Sequence, residues 1–381
     1  MIKVLSIGYD RKVFETGSVA EEKFVEYGKL FEELHLVVFS TKAHKLKSKK
    51  ISDNVWAYPT DSLSRWLYVR DAITIGKNII PDRKFVRGLS VIMVQGPFES
   101  GLVGLNIKKR WRLPLHVSLH TDPFSPYFSG FVNALRKRCM PRILKNADGV
   151  RVVTEDLKDK LVEKFDLSPT LIDVLPIYVD RKKVYDGKIS FDSHARYGFD
   201  PVILTVARLA AEKKLNKALD VMAKLRTYFP KAGLVIVGDG PERPKLESQA
   251  RASGVGANVV FAGWQEDLAS YYGTADMYLQ TSAYEGYGLS LVEAGLSGLA
   301  AVSTPVGIAD ELENGKDIII CPQDDPDFMF KAIYDLASNP GERESLGRHL
   351  KDTLQKKMLA KSAYLECFKE MLERASKKVS L

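Results

Sequence analysis

Cysteine is scarce in this chain: Cys139, Cys321 and Cys367 are odd in number and far apart. That excludes a disulfide framework and a cysteine-based zinc site, and it points to a reducing compartment. Histidine is sparse too, with six scattered residues and no His-Glu-x-x-His or Cys-x-x-Cys cluster. No stretch reaches the ~18–20 uncharged apolar residues of a membrane span. The opening run Ile2–Ile7 reads as a buried strand, too short and too early for a secretory core. What is present is ordinary: 381 residues, 45% hydrophobic and 27% charged. Such a chain is globular and long enough for two domains.

The formal charge of +8 is unevenly spread. Residues 1–200 hold 34 basic and 24 acidic side chains, residues 201–350 hold 14 and 20, and 351–381 hold 8 and 4. A basic half beside an acidic one suggests that only the first meets an anionic surface. Nucleic acid is not expected, because helix-turn-helix, zinc-finger and RNP-type signatures are missing.

Apolar runs alternate with amphipathic stretches, the pattern of parallel α/β sheets. Strands are expected at Ile2–Ile7, Leu36–Phe39, Val91–Val94, His116–Leu119, Gly149–Val153 and Ile172–Leu175. A second series is expected at Val202–Val206, Leu234–Val237, Val259–Phe261, Met277–Gln280, Ala300–Val302 and Ile318–Ile320. Helix periodicity marks Leu215–Leu225 and Leu289–Leu296. Two such series predict two doubly wound, Rossmann-like domains, 1–180 and 201–357, joined by a polar linker at 181–200. Residues 358–381 read as a terminal helix whose charge suits the first domain.

Four elements between 203 and 322 carry the chemical signal. The strand Val202–Val206 runs into Ala207-Arg208-Leu209, with Lys213 five residues beyond Arg208; two cations so placed suit a phosphate. Val237-Gly238-Asp239-Gly240-Pro241 is a tight turn, because Arg243 stands where a dinucleotide fingerprint needs its third glycine. Tyr284-Glu285-Gly286-Tyr287-Gly288-Leu289 leads into a helix holding Glu293, so two glutamates flank a glycine-rich junction. Free amides there can receive an anionic or hydroxyl-rich ligand, and Glu293 can accept bonds from vicinal hydroxyls. Ser303-Thr304-Pro305-Val306-Gly307 forms the fourth junction.

In this order the elements resemble the C-terminal domain of the retaining glycosyltransferases of family 4, also called glycosyl transferases group 1. The family's E-x7-E element matches Glu285 through Glu293, and its diphosphate clamp matches Arg208 and Lys213. The segment Phe261-Ala262-Gly263-Trp264 fits as well, with Trp264 at the position beside the nucleobase or, on the plainer reading, in the core. In the first half, Val117-Ser118-Leu119-His120 resembles the strand that delivers the active-site histidine. Ile177-Tyr178 stand where the family carries Asn-Gly, and the glycine pair after the first strand is absent.

The resemblance implies the GT-B fold: two Rossmann-like α/β domains facing a central cleft, with a C-terminal helix returning to the N-terminal domain. It implies sugar transfer from a UDP- or GDP-linked donor to a glycan or lipid-linked hydroxyl, with retention and with no metal or other cofactor. Arg208 and Lys213 would hold the diphosphate, Gly286, Tyr287, Gly288 and Leu289 would approach the donor, and Glu293 would hold the ribose. Glu285 would face the donor sugar and His120 its hydroxyls. Asp325-Pro326-Asp327 spells a metal-binding D-x-D but is discounted by its place after the strand series. A sugar-nucleotide epimerase and a non-catalytic nucleotide-sugar-binding protein stay open as alternatives.

On the acceptor side, Phe128, Phe131, Val132, Leu135, Cys139 and Ile143 recur at helical steps among Arg136, Lys137, Arg138, Arg142 and Lys145. Such a helix either packs its apolar face into its own domain or meets anionic lipid. The expected location is cytoplasmic, with the second option placing the protein peripherally at the inner face of the plasma membrane.

Overall fold

A computed structural model describes residues 1–180 and 187–378. Residues 181–186 of the expected linker and 379–381 of the expected terminal helix lie outside them. The chain divides into two compact units: Met1–Pro176 with Ala360–Leu381, and Ile177–Leu359.

The first unit is built on eight strands: β1 (Lys3–Gly8), β2 (Glu33–Val38), β3 (Lys49–Ser52), β4 (Val55–Pro59), β5 (Ser90–Gln95), β6 (Leu115–Ser118), β7 (Gly149–Val152) and β8 (Ile172–Val174). Their order is β3-β4-β2-β1-β5-β6-β7-β8. All neighbours are parallel except β3, which runs antiparallel to β4. The five helices between strands are α1 (Val19–Gly28), α2 (Tyr68–Asp82), α3 (Glu99–Trp111), α4 (Phe131–Leu144) and α5 (Glu155–Phe165). Strand order reverses between β1 and β5, and at such switch points the loops part and leave a crevice at the carboxyl ends.

The β3–β4 hairpin is an addition to the expected strands. Its first strand, Lys49-Lys50-Ile51-Ser52, is a polar edge that periodicity passes over, and a two-residue Asp53-Asn54 turn joins it to β4. Edge strands tolerate lysine because charge there discourages pairing with another chain.

The second unit repeats the theme with β9 (Val202–Val206), β10 (Gly233–Val237), β11 (Val259–Gly263), β12 (Met277–Gln280), β13 (Ala300–Ser303) and β14 (Ile319–Ile320). They run parallel in the order β11-β10-β9-β12-β13-β14. Its helices are α6 (Ser193–Tyr197), α7 (Leu215–Leu225), α8 (Arg243–Ala252), α9 (Leu268–Thr274), α10 (Leu289–Leu296), α11 (Pro326–Ser338) and α12 (Pro340–Lys357). Helices α7 and α10 fall on the expected residues. In α7 the cause is plain: Leu215, Ala218, Leu219, Met222 and Leu225, at three- and four-residue steps, are all buried. The switch point of this sheet lies between β9 and β12.

Helix α13 (Lys361–Lys377) returns to the first unit. It buries Tyr364, Phe368, Met371, Leu372 and Ala375. Arg151 of β7 is the anchor: its guanidinium, 4% exposed, donates to the carbonyls of Leu175 and Pro176 and to the Tyr364 hydroxyl, each at 2.9–3.0 Å. A buried cation is tolerable only with such a full set of acceptors.

Candidate active site

The second unit assembles its site at the switch point. Where β9 ends, the chain turns through Arg208, whose side chain is exposed at the tip. The glycine turn after β10 braces this bend: Ala207 N donates to Val237 O, Leu209 N to Asp239 O and Glu242 N to Leu209 O, all at 3.0 Å. Gly238 has φ +127°, and a Cβ there would sit 2.0 Å from Ala207 O; one on Gly240 would sit 2.3 Å from Leu209 O. The two glycines thus let one backbone lie against another and hold Arg208 in place.

After β12 the chain is stitched to the Lys213 segment. Thr281 Oγ1 donates to Lys213 O at 2.8 Å, and Ala283 N donates to Glu212 O at 2.8 Å. Lys213 Nζ pairs with Glu285 Oε2 at 2.7 Å, while Ser282 Oγ donates to the other Glu285 oxygen at 2.8 Å. The structure therefore joins the expected clamp lysine and the first glutamate in one nearly buried ion pair. An ammonium has three donors, so one bond to Glu285 leaves others for a phosphate.

Gly288, at φ +91°, opens α10 and supplies no side-chain cap. The helix thus offers the positive end of its dipole at the switch point. Tyr287 contributes backbone alone: its ring is buried, and Ile308 N donates to its carbonyl at 2.8 Å. Gly286 lies partly buried beside it, and Leu289 reaches the surface.

Glu293 sits one turn into α10, with Tyr272 Oη donating to its Oε2 at 2.9 Å. Burial raises the Glu293 pKa above the ordinary carboxylate value, and the Tyr272 hydrogen bond opposes that rise. If this carboxylate binds a donor hydroxyl pair, donor KM climbs as pH falls, starting above the range where a free glutamate titrates. Tyr272→Phe removes the opposing bond and moves that onset to still higher pH. A pH series of donor KM checks it; coincident profiles for the two proteins would remove Glu293 from donor binding.

Trp264 follows β11 and is 74% exposed, so the core reading of this indole is corrected: most of it lies at the surface. Its strand lies two places from β9.

His120, on the first unit, follows β6. Burial pushes its pKa down to about 3, with Arg151 and Lys23 adding repulsion, so the imidazole is neutral at physiological pH. A neutral imidazole both donates and accepts, which suits a hydroxyl partner better than a phosphate. The switch point of this sheet also holds a crevice that periodicity did not single out, lined by Gly8, Tyr9, Asp10, Lys23 and Gln95 among others. Lys23 pairs with Asp10 there at 2.9 Å. The strand order was the signal that could have located it.

Both carboxylates of the D-x-D are engaged by the fold. Asp325 caps α11 by accepting from Asp327 N and Phe328 N, and Asp327 pairs with Lys224. Among the described residues, His194, Asp200 and Asp276 have side-chain ligand atoms within 4.8 Å of one another. Asp276 there already accepts from Val202 N at 2.7 Å and pairs with Arg343 at 3.2 Å. A neighbouring arginine opposes a second cation.

Comparison with known proteins agrees with the fold. Residues 187–353 match the family model described as glycosyl transferases group 1, and residues 53–177 match that of the glycosyl transferase 4-like domain. The alpha-monoglucosyldiacylglycerol synthase of Acholeplasma laidlawii is 23% identical, covering 83% of this chain and 85% of that protein. The D-inositol 3-phosphate glycosyltransferase of Corynebacterium kroppenstedtii is 26% identical, covering 89% and 81%. Among solved structures, sucrose-phosphate synthase from Thermosynechococcus elongatus superposes with a TM-score of 0.80 at 18% identity, covering 97% of this chain and 98% of that one. Anabaena HepE in complex with UDP and glucose gives 0.77 at 17% identity, covering 98% and 99%.

Proposed function

The chain belongs to the glycosyl transferases group 1 family, and on that premise we propose that it moves a hexose from a UDP- or GDP-linked donor to a hydroxyl acceptor with retention of anomeric configuration. The observation that supports this reading best is the gathering of Arg208, the Lys213–Glu285 pair and the uncapped start of α10 at the ends of β9 and β12. Loss of a nucleoside diphosphate leaves charge on the departing oxygens, and fixed cations and a helix dipole are the groups that stabilise it. These positions could supply that stabilisation without a metal ion. Glu285 faces the opposite charge, the one that builds on the anomeric carbon. Glu293 takes the ribose, Trp264 the base and His120 a sugar hydroxyl. In this reading the departing phosphate oxygen takes the acceptor proton, which would permit retention without a covalent intermediate.

The acceptor we infer is a glycan or lipid-linked saccharide of the kind used in cell-envelope synthesis, met by the basic first unit at the cytoplasmic face of an anionic membrane. A relative named for diacylglycerol glucosylation supports the lipid option. Among the described residues no helix is long and apolar enough to cross a membrane.

A thermal-shift screen of nucleoside diphosphates and their sugars, then an acceptor screen on the best donor in EDTA, tests the reading. The expected result is a stabilising nucleotide sugar and an α-configured product from an α-configured donor. Conversion of the sugar with the diphosphate linkage intact and no acceptor present would instead establish an epimerase.

A further inference from the structure

The carboxyl edge of the first sheet exposes apolar side chains on separate loops. After β4, Leu63 and Trp66 are each 73% exposed. Their loop is not loose, because Ser62 N donates to Ser40 O, Lys42 N to Ser62 O and Asp61 N to Ser40 Oγ, and Tyr68 is buried at the start of α2. After β6, the first turns of α4 expose Phe131 (75%), Val132 and Leu135, although Met140, Ile143 and Leu144 further along are buried. Only the far half of the expected stripe is core. Val19, exposed at the start of α1, follows β1, which lies between β4 and β6 in the sheet.

These prongs belong to one frame. Tyr68 stacks on Phe39 with ring centroids 5.1 Å apart, and Phe39 packs against Tyr9 at 4.8 Å. Tyr9 lies close enough to Glu99 and Arg136 to feel both charges, and Arg136 pairs with Glu99 at 2.7 Å and donates to Asn133 at 3.0 Å. From β4 to β6 is four strand spacings, about 20 Å.

The surroundings are basic. Arg65 flanks the first prong, with Arg70 beyond it paired to Asp71 at 2.8 Å; exposed Lys42, Lys45 and Lys47 belong to the segment bonded to Ser62, and Lys137, Arg138 and Arg142 are exposed on α4. Asp61 is the exposed acid beside Leu63. Apolar tips set among cations match an anionic bilayer, whose headgroups attract the charge and whose acyl boundary takes the tips.

We propose that this edge docks on an anionic membrane by insertion, with Leu63 and Trp66 as one anchor and Phe131, Val132 and Leu135 as the other. The proposal rests on the lipid-linked acceptor reading and adds to it a penetrating contact that persists in salt. Sedimentation of the full chain with phosphatidylglycerol–phosphatidylcholine vesicles, at low and high salt, tests it. Salt weakens binding but leaves a residue, and Leu63→Ser/Trp66→Ser or Phe131→Ser/Leu135→Ser lowers the partition coefficient about tenfold or more. Quenching of tryptophan fluorescence by brominated lipid falls in Trp66→Phe. Both double variants keep wild-type melting and wild-type turnover on a water-soluble acceptor. Vesicle binding unchanged in both double variants would overturn the proposal. So would the absence of binding in the wild type, or a lipid-free dimer that the same substitutions dissolve. Donor turnover on the soluble acceptor reads out separately, so failure here leaves the transferase reading testable by itself.

Discussion

Replacing Glu285 with alanine lowers kcat by about 10²–10³-fold, the range seen when one preorganised charge-stabilising group is removed. The variant loses two things at once: the carboxylate proposed to face the cationic transition state, and the counterion that holds Lys213. Both members of that pair are shielded, with side chains 17% and 11% exposed. Breaking it from either side costs stability on the order of 2–3 kcal/mol, because the survivor keeps only a little solvent. A double-mutant cycle separates the roles. Lys213→Ala and Glu285→Ala together destabilise less than the sum of the singles, since no unpaired charge is left behind. Turnover does not recover in the same way if each residue also has the separate task proposed for it. Near-wild-type turnover in Glu285→Ala would sink the assignment.

Gly238→Ala is expected to damage the protein most without touching any charged group. Its Cβ would fall 2.0 Å from the Ala207 carbonyl oxygen, and its φ of +127° is one that alanine avoids. Neither conflict can be relieved by rotating a side chain, since the obstacle is backbone. The two strands of the turn must separate, at a cost of about 3 kcal/mol or more. Arg208 moves with them, and donor turnover falls at least tenfold even in molecules that remain folded. Gly315→Ala is the control: it too has positive φ, +80°, but nothing lies within 4 Å of the added methyl. That variant costs only about 1 kcal/mol and leaves turnover alone. Thermal unfolding and donor kinetics on both variants decide the matter; equal melting temperatures would mean that the glycine turn braces nothing.

Much of the fold was legible because its signals are local. Strands such as Val202–Val206 are short apolar runs between turns, and the i, i+3, i+4 spacing of α7 needs no tertiary partner to be read. Strand β3 escaped because Lys49-Lys50-Ile51-Ser52 has no buried face to alternate with, and β4 because its exposed-side residues, Trp56 and Tyr58, are aromatic and mask the alternation. The site residues were named from motif order, and their pairing was not. Lys213 and Glu285 come from different strand ends, and only the adjacency of β9 and β12 joins them. Tyr272 as the partner of Glu293 likewise follows from the tertiary fold, which brings a residue of α9 to one of α10. Periodicity marked the apolar stripe of α4 correctly but does not report what covers it, so the exposed start and the buried end look alike in sequence. For Trp264 the same ambiguity was settled by burial alone.

The return of α13 to the first unit has a consequence for synthesis on the ribosome. Residues 1–176 emerge early, yet their face against Tyr364, Phe368, Met371 and Leu372 stays uncovered until some 180 further residues have been made. Arg151 waits with it, holding the Leu175 and Pro176 carbonyls but not yet the Tyr364 hydroxyl. The second unit, contiguous in the chain, can close while the first is still incomplete. The domain begun first is thus finished last, and a nascent chain stalled before α13 carries a raw apolar surface of the kind that chaperones bind.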